Sequence, residues 1–447
     1  MLNVLLFYSV YGAGFYASLL RNPVYAFVLY EAVYFFNPKG RWWFYNVPDI
    51  SYSFFVVLLM MGVYLLNVKK ANLNKLLKVP QFRWMYILVF LYAVTYFFAV
   101  TPQAHLDAAI NFIKLAIIIS IAYKLCDSVT KLNYILWGYL FGAWYIGFIA
   151  FQTGRNSGIR VEGIGTVDAP DANDIAAAIA PALVLCLYYF WTSDKWWVKS
   201  FMACAGIFIA NGLVLINSRG AFLGAIASLV YFMSYMLFST LQRKGQKSIA
   251  AMILVAGIAA GGVLMDRTFV DRMKSIYKAE VSEEQESAAT RTLFWAAAWD
   301  MAKDHPFGAG HLGFNYYAPM YIPDHVHTGN SRNRTVHSTW FEALTEVGYI
   351  GFFVFILMVY STFRTLGLCK KKLKEQGNVD EYFRIIAIQS GFIAFLIAMT
   401  FINRMRAEVL YWIILYTACL YNIYILTPST YKSVERKNEQ PQSGKPP

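Results

Sequence analysis

The stretch FMACAGIFIANGLVLINSRGAFLGAIASLVYFMSYMLFST, residues 201–240, holds two apolar runs, 201–217 and 221–240, parted only by a turn around Asn217, Ser218 and Arg219. As a helix, each run is long enough to cross a hydrocarbon core of about 30 Å, which needs roughly 20 apolar residues. A second run that begins at once after the first reads as two antiparallel membrane helices joined by a tight turn. The guanidinium of Arg219 must then lie close to the membrane plane.

The rest of the chain repeats this pattern. Further candidate spans are 3–20, 24–38, 51–67, 85–100, 112–125, 135–153, 175–193, 249–265, 338–363, 385–403 and 407–426. The segment 24–38 is short enough to be re-entrant, which leaves twelve or thirteen crossings. At 58% hydrophobic, 18% aromatic and 15% charged residues, the chain is too apolar for an ordinary soluble domain. A net charge of +13 could suggest nucleic acid, but the basic residues fall in short clusters between apolar runs, as in cytoplasmic membrane loops. No nucleic-acid partner is expected, and the lipid bilayer is. The five cysteines lie in or beside apolar segments without CxxC spacing, which argues against a disulfide framework or a zinc site. The N-terminal MLNVLLFYSVYGAG lacks a basic leader and an A-x-A cleavage site, and reads as a retained span.

Orientation follows from lysine and arginine in the short loops. NVKKANLNKLLKVPQFR, SDKWWVKS, LQRKGQKS, RTLGLCKKKLKEQG and the tail YKSVERKNEQPQSGKPP are all basic, and an even number of spans separates each from the next. One assignment puts them all in the cytoplasm. The opposite side receives TPQAHLDAAIN, RNSGIRVEGIGTVDAPDAND, the NSRGAF turn, the long segment 266–337 and NRMRAE. The expected fold is therefore all-α and polytopic: a bundle over 1–265, a loop subdomain over 266–337, a second bundle part over 338–426, and a disordered tail over 427–447. Within the loop, AATRTLFWAAAWDMAKD has apolar residues at helical spacing and stops at HPFGAG, so at least one amphipathic helix is expected there.

Charge gathers on this outer face. His337 stands where the loop returns to the membrane, and TWFE fits the T-x-x-E capping box, with Thr339 capping and Glu342 answering. Glu346 lies one turn deeper in an apolar span, where a carboxylate is costly unless it is paired or faces a water-filled cavity. On the same face are Arg160, Arg219, Arg291, Arg332, Arg334, Arg404 and Arg406, with Lys114 near the outer end of its span. Guanidinium groups fixed at that depth suit a diphosphate, whose oxygens they can bind bidentately. D-x-D, the phosphate loop G-x-x-x-x-G-K-[ST], H-E-x-x-H and G-x-S-x-G are all absent from the sequence. HVH, with His325 and His327, lacks a spaced third ligand, so no metal is expected, and none of these patterns points to a cofactor.

Taken in order, RVEGIGTVDAPDANDIAAAIAPAL, NSRGAFLGAIASLV, RTLFWAAAWDMAKDHPFGAGHLGF and HSTWFEALTEVGYIGF resemble the O-antigen ligase and polymerase superfamily of bacterial envelope glycan transferases. RNPVYAFVLYEAVYFFNPKG looks more narrowly like the O-glycosylation ligases found with exosortase systems. The resemblance implies a GT-C-like inner-membrane enzyme. It would take a glycan from undecaprenyl diphosphate and transfer it to a hydroxyl acceptor on lipid A-core, protein or polysaccharide, without a metal and with inversion. By the same resemblance His337 occupies the position of the family's histidine before E-x-G, Arg219 that of the SRG arginine, Arg291 that of the loop-helix arginine, and Arg160 that of an outer arginine. His337 would be the general base and Glu346 its orienting carboxylate or the neutraliser of an arginine. The arginines, with Lys114, would hold the diphosphate. One departure is Glu162 in RVEGIG, where relatives carry Gly-Pro. A polymerase joining lipid-linked repeats would use nearly the same chemistry. A transporter would instead place functional charge deep in the bilayer and show interrupted helices or internal repeats.

Overall fold

The computed structural model describes residues 2–265, 267–274, 288–323 and 332–428. Their helices are α1 (Leu2–Leu20), α2 (Tyr25–Phe36), α3 (Tyr52–Leu66), α4 (Pro80–Val94), α5 (Pro102–Leu125), α6 (Val129–Thr153), α7 (Ala172–Thr192), α8 (Trp196–Ile216), α9 (Arg219–Phe238), α10 (Gln246–Leu264), α11 (Arg267–Lys274), α12 (Ala288–Asp304), α13 (Gly313–Tyr321), α14 (Thr339–Glu375), α15 (Val379–Met399) and α16 (Glu408–Tyr421). The described residues form no strand beyond one isolated bridge between Ser157 and Arg160. Among the described residues ten helices are long and apolar enough to cross a membrane, and the apolar segments Tyr25–Phe36, Tyr52–Leu66 and Gln246–Ala259 are shorter. Large apolar side chains such as Phe54, Leu66, Phe90, Phe97, Val230 and Ile258 stand exposed around the bundle. A surface of this kind is stable in lipid and not in water. The chain is an all-α polytopic membrane protein.

Several helices begin before the apolar runs do. α4 starts at Pro80 rather than 85, α5 at Pro102 rather than 112, and α6 at Val129, after the Ser128 cap, rather than 135. Counting apolar residues omits a polar first turn. Proline at the first position and a serine cap are the signals that recover it. The 12-residue α2 is about 18 Å long and almost wholly buried, so it is an interior element too short to span by itself.

α15 packs against α7 and α9 at the centre of the bundle. A Cβ on Gly224 of α9 would collide with the Ala394 carbonyl oxygen of α15, so only glycine permits this approach. A separate apolar cluster, including Phe294, Ala298, Met301, Phe314 and Ile322, holds α12 and α13 together under Val336. α12 ends at Asp304, before HPFGAG, as its sequence predicts. His325, His327 and the tail after Pro428 lie outside the described residues.

α14 breaks at Gly348, whose φ is +69°. The break frees two carbonyls and an amide of α14 that the HPFGAGH loop uses: Ala309 N–H donates to Thr345 O at 2.8 Å and Gly310 N–H to Glu346 O at 3.1 Å, while Tyr349 N–H donates to the loop carbonyl Pro306 O at 3.0 Å. A Cβ on Gly348 would collide with the Pro306 carbonyl oxygen. Gly348→Ala is therefore expected to combine left-handed strain with a backbone clash, costing on the order of 1–3 kcal/mol or more and detaching the loop. Thermal unfolding in detergent and protease cleavage after residue 304 would check it, and an unchanged melting temperature would contradict the account.

Candidate active site

The start of α14 docks on the turn between α15 and α16. Ser338 N–H donates to Asn403 Oδ1 at 3.0 Å, Thr339 Oγ1 donates to Ile402 O at 2.8 Å, and the same oxygen accepts from Arg404 N–H at 2.8 Å. Trp340 Nε1 donates to Thr400 Oγ1 at 3.0 Å. Glu342 does not answer Thr339 in a capping box: its Oε2 accepts from Met405 N–H at 2.9 Å, and Ser338 takes the cap position. A capping box serves a solvated helix end, whereas this end is buried under a neighbouring turn that supplies its own donors and acceptors.

The same turn gathers residues that lie far apart in sequence. His337 precedes the cap with φ +49°, and Thr335 Oγ1 lies 3.2 Å from its Nε2. The Arg291 guanidinium from α12 sits 5.9 Å over the Phe401 ring. Gly220, beside Arg219 at the start of α9, packs on that ring too. The α8–α9 connection is as tight as the sequence implies, since Asn217 in the left-handed region and Ser218 are its whole length. Asn217 Nδ2 also donates to Ile159 O at 3.3 Å, and Val161 N–H to Leu215 O at 3.1 Å, which fastens the Arg160 segment to this connection. Arg160 Nη2 donates to Asn173 Oδ1 at 3.4 Å at the start of α7. Arg160, Arg219, Arg291 and His337 thus lie on segments joined at one end of the bundle. Arg332 donates to the carbonyls of Pro319 and Ile322, which ties it to the end of α13.

Arg404 and Arg406 are not free cations. Arg404 donates to Asp168 O and Oδ2, each at 2.6 Å, and lies 3.8 Å from Asp174. Arg406 lies 3.7 Å from Glu346 and 4.0 Å from Glu342, with its guanidinium 5.0 Å over the Tyr92 ring. Burial works against both charges, but the carboxylates outweigh it and hold both guanidinium groups above the ordinary arginine range.

Glu346 faces away from the role of orienting His337. It accepts from Tyr92 Oη at 2.9 Å and lies 2.8 Å from His311 Nδ1. The His311 peptide N–H donates to His105 Nδ1 at 2.9 Å, so His105 carries its proton on Nε2 and donates to Tyr92 O at 2.8 Å. His311 Nδ1 is also 2.9 Å from Arg406 Nη2. That nitrogen donates to Glu346 when it is protonated and accepts from Arg406 when it is not. Of the two roles expected for Glu346, neutralising an arginine fits this geometry.

A cavity of about 880 Å³ opens beside this network. Phe54, Val57, Phe112 and Leu115 form its apolar side, and His311, Arg404, Arg406 and Glu408 its polar end. Lys114 also lines it, exposed, with Nζ donating to Asn111 Oδ1 at 3.5 Å. Such a lining suits a ligand with a charged head and a hydrocarbon body. Sequence reading alone did not select His311, Tyr92 or Asp168. The glycines of HPFGAGH were the available signal for His311, because they permit the close approach to α14 that delivers it. DAPDAND gave no sign that Asp168 pairs with an arginine more than 200 residues away.

The fold is an all-helical membrane bundle with a histidine and several arginines on segments joined at one end, and an amphipathic cavity near that end. Residues 204–356, about a third of the chain, match the family model described as O-antigen ligase, which supports a relationship to the O-antigen ligase superfamily. The match supports a membrane glycosyltransferase of the O-antigen ligase and polymerase type. It contains Arg219, Arg291, His311, His337, Glu342, Glu346 and Gly348. No curated protein matches the chain.

Proposed function

We propose that this protein is a ligase that moves a glycan from a lipid diphosphate, of the undecaprenyl type, to a hydroxyl acceptor at the outer face of the inner membrane. The observation that carries the reading is the meeting of Arg219, Arg291 and His337, all within the O-antigen ligase match, on segments that converge at the 400–403 turn. The acceptor oxygen attacks the anomeric carbon as the bond from that carbon to the diphosphate oxygen breaks, and a single displacement inverts the centre. His337 takes the acceptor proton, and Arg160, Arg219 and Arg291 balance the charge that develops on the departing lipid diphosphate. The polyprenyl chain enters along the apolar side of the 880 Å³ cavity, and Lys114 meets the donor before the diphosphate reaches the arginines. The Arg404 and Arg406 ion pairs fix the α15–α16 turn on which this arrangement rests.

The test is transfer in proteoliposomes supplied with undecaprenyl-diphosphate-linked glycan and candidate acceptors, with and without EDTA, read as a gel shift of the acceptor. The expected result is an acceptor-linked product at equal rates in both conditions, of inverted anomeric configuration. Products that grow by repeat units on the lipid itself would make the protein a polymerase. Loss of activity in EDTA, restored by a divalent cation, would overturn the metal-free mechanism.

A further inference from the structure

A second polar cavity, of about 440 Å³, lies at the other end of the bundle. α7 runs between the two ends: Asp174 in its first turn lies 3.8 Å from Arg404 of the first cavity, Tyr188, Tyr189 and Thr192 at its end line the second, and its 21 residues measure roughly 30 Å. Asp380, Glu381 and Arg384 from α15 supply the charge of this second cavity, and Trp137 and Trp197 an aromatic wall. It adjoins a third cavity of about 510 Å³ with an almost wholly apolar lining, and the two share Tyr134, Trp137 and Trp197. From Tyr134 the apolar groove follows α6 to Phe141, roughly 10 Å toward the middle of the bundle, between α1 and α2 on one side and α8 on the other.

The chemistry changes across the two adjoining cavities in the order that a phospholipid requires. Arg384 is only 6% exposed, and its guanidinium sits 5.8 Å over the Tyr188 ring. One of its terminal nitrogens donates to Glu381, while its Nε has no hydrogen-bond partner. Arg384 also lines the cavity, where its guanidinium can meet an anionic oxygen. Asp380 is already held by Arg243 Nε and Nη2 at 2.7 and 2.5 Å. Two carboxylates beside Arg384 disfavour a purely anionic headgroup. Glu381, which also accepts from Tyr424 Oη, shares this cavity with two indoles, a lining that suits an ammonium.

We propose that the two adjoining cavities form one binding site for a phospholipid with a phosphoethanolamine headgroup. Its phosphate meets Arg384, its ammonium lies between Glu381 and the indoles of Trp137 and Trp197, and one acyl chain fills the groove along α6. In the orientation set by the basic loops, this lipid belongs to the cytoplasmic leaflet, opposite the transfer site. The site is independent of the transferase reading.

Native mass spectrometry of the intact protein, released from detergent and titrated separately with phosphatidylethanolamine and phosphatidylglycerol, tests this directly. One phosphatidylethanolamine per chain is expected to be retained, at least about tenfold more tightly than phosphatidylglycerol. Arg384→Gln and Trp197→Ala are each expected to weaken retention about tenfold, the cost of one charge-assisted hydrogen bond or one cation–π contact. Trp197 is half exposed, so its replacement leaves the bundle folded even if loss of Arg384 does not. Equal retention of the two lipids, or unchanged retention in folded Trp197→Ala, would reduce the site to ordinary annular lipid and overturn the proposal.

Discussion

Replacing His337 with asparagine is expected to lower the turnover of glycan transfer by about 10² to 10⁴ while leaving an inserted, folded protein, because general-base assistance is typically worth that much. Asparagine is the informative choice. The backbone at position 337 is left-handed, with φ +49°, a conformation that asparagine adopts readily and that costs alanine roughly 1–2 kcal/mol. His337→Asn therefore removes the base and keeps the backbone, whereas His337→Ala mixes the two effects. If the imidazole takes the acceptor proton, turnover falls with little change in the donor's KM. If the histidine only holds the loop end against Thr335, His337→Asn transfers nearly as well as the wild type and the assigned mechanism is wrong. Arg219→Ala separates a third case: lost charge stabilisation on the leaving group lowers turnover without altering the pH profile that the base imposes.

The bundle was legible because apolar span length and loop charge are local properties, and a helix in lipid must satisfy its own backbone. The 201–240 hairpin and the α12 helix with its stop at HPFGAG were readable for that reason. What was not readable depends on partners distant in sequence. Glu342 looked like a capping residue since TWFE satisfies the pattern locally, but the true partner is Met405 N–H, 63 residues later. Arg404 and Arg406 looked like phosphate ligands because an arginine near a membrane plane needs an anion. Nothing local reveals that Asp168 and Glu346 already supply one. Gly348 and the HPFGAGH glycines carried the one hint of this arrangement, since glycines clustered on both sides of an interface signal two backbones in contact.

Arg406 yields the second large effect, and of a different kind. Its side chain is 19% exposed, and the Glu342 and Glu346 side chains it faces are 6% and 7% exposed. Arg406→Gln leaves two buried carboxylates with no cation between them except His311, and removing one partner of a buried ion pair costs about 3–5 kcal/mol. The expected result is a large fall in melting temperature in detergent, with transfer abolished because the α15–α16 turn no longer holds the start of α14. Neutralising the carboxylates as well, in Arg406→Gln with Glu342→Gln and Glu346→Gln, should recover much of the stability, because the penalty comes from buried charge without a counterion rather than from the smaller volume of the glutamine. A diphosphate ligand behaves otherwise: the single variant would melt like the wild type and show a raised donor KM, and the added glutamines would restore nothing. Melting temperature and KM measured on the wild type, the single variant and the triple variant therefore decide whether Arg406 is part of the frame of the site or a group that touches substrate. The burial of Arg406 beside two carboxylates, 3.7 and 4.0 Å away, favours the frame.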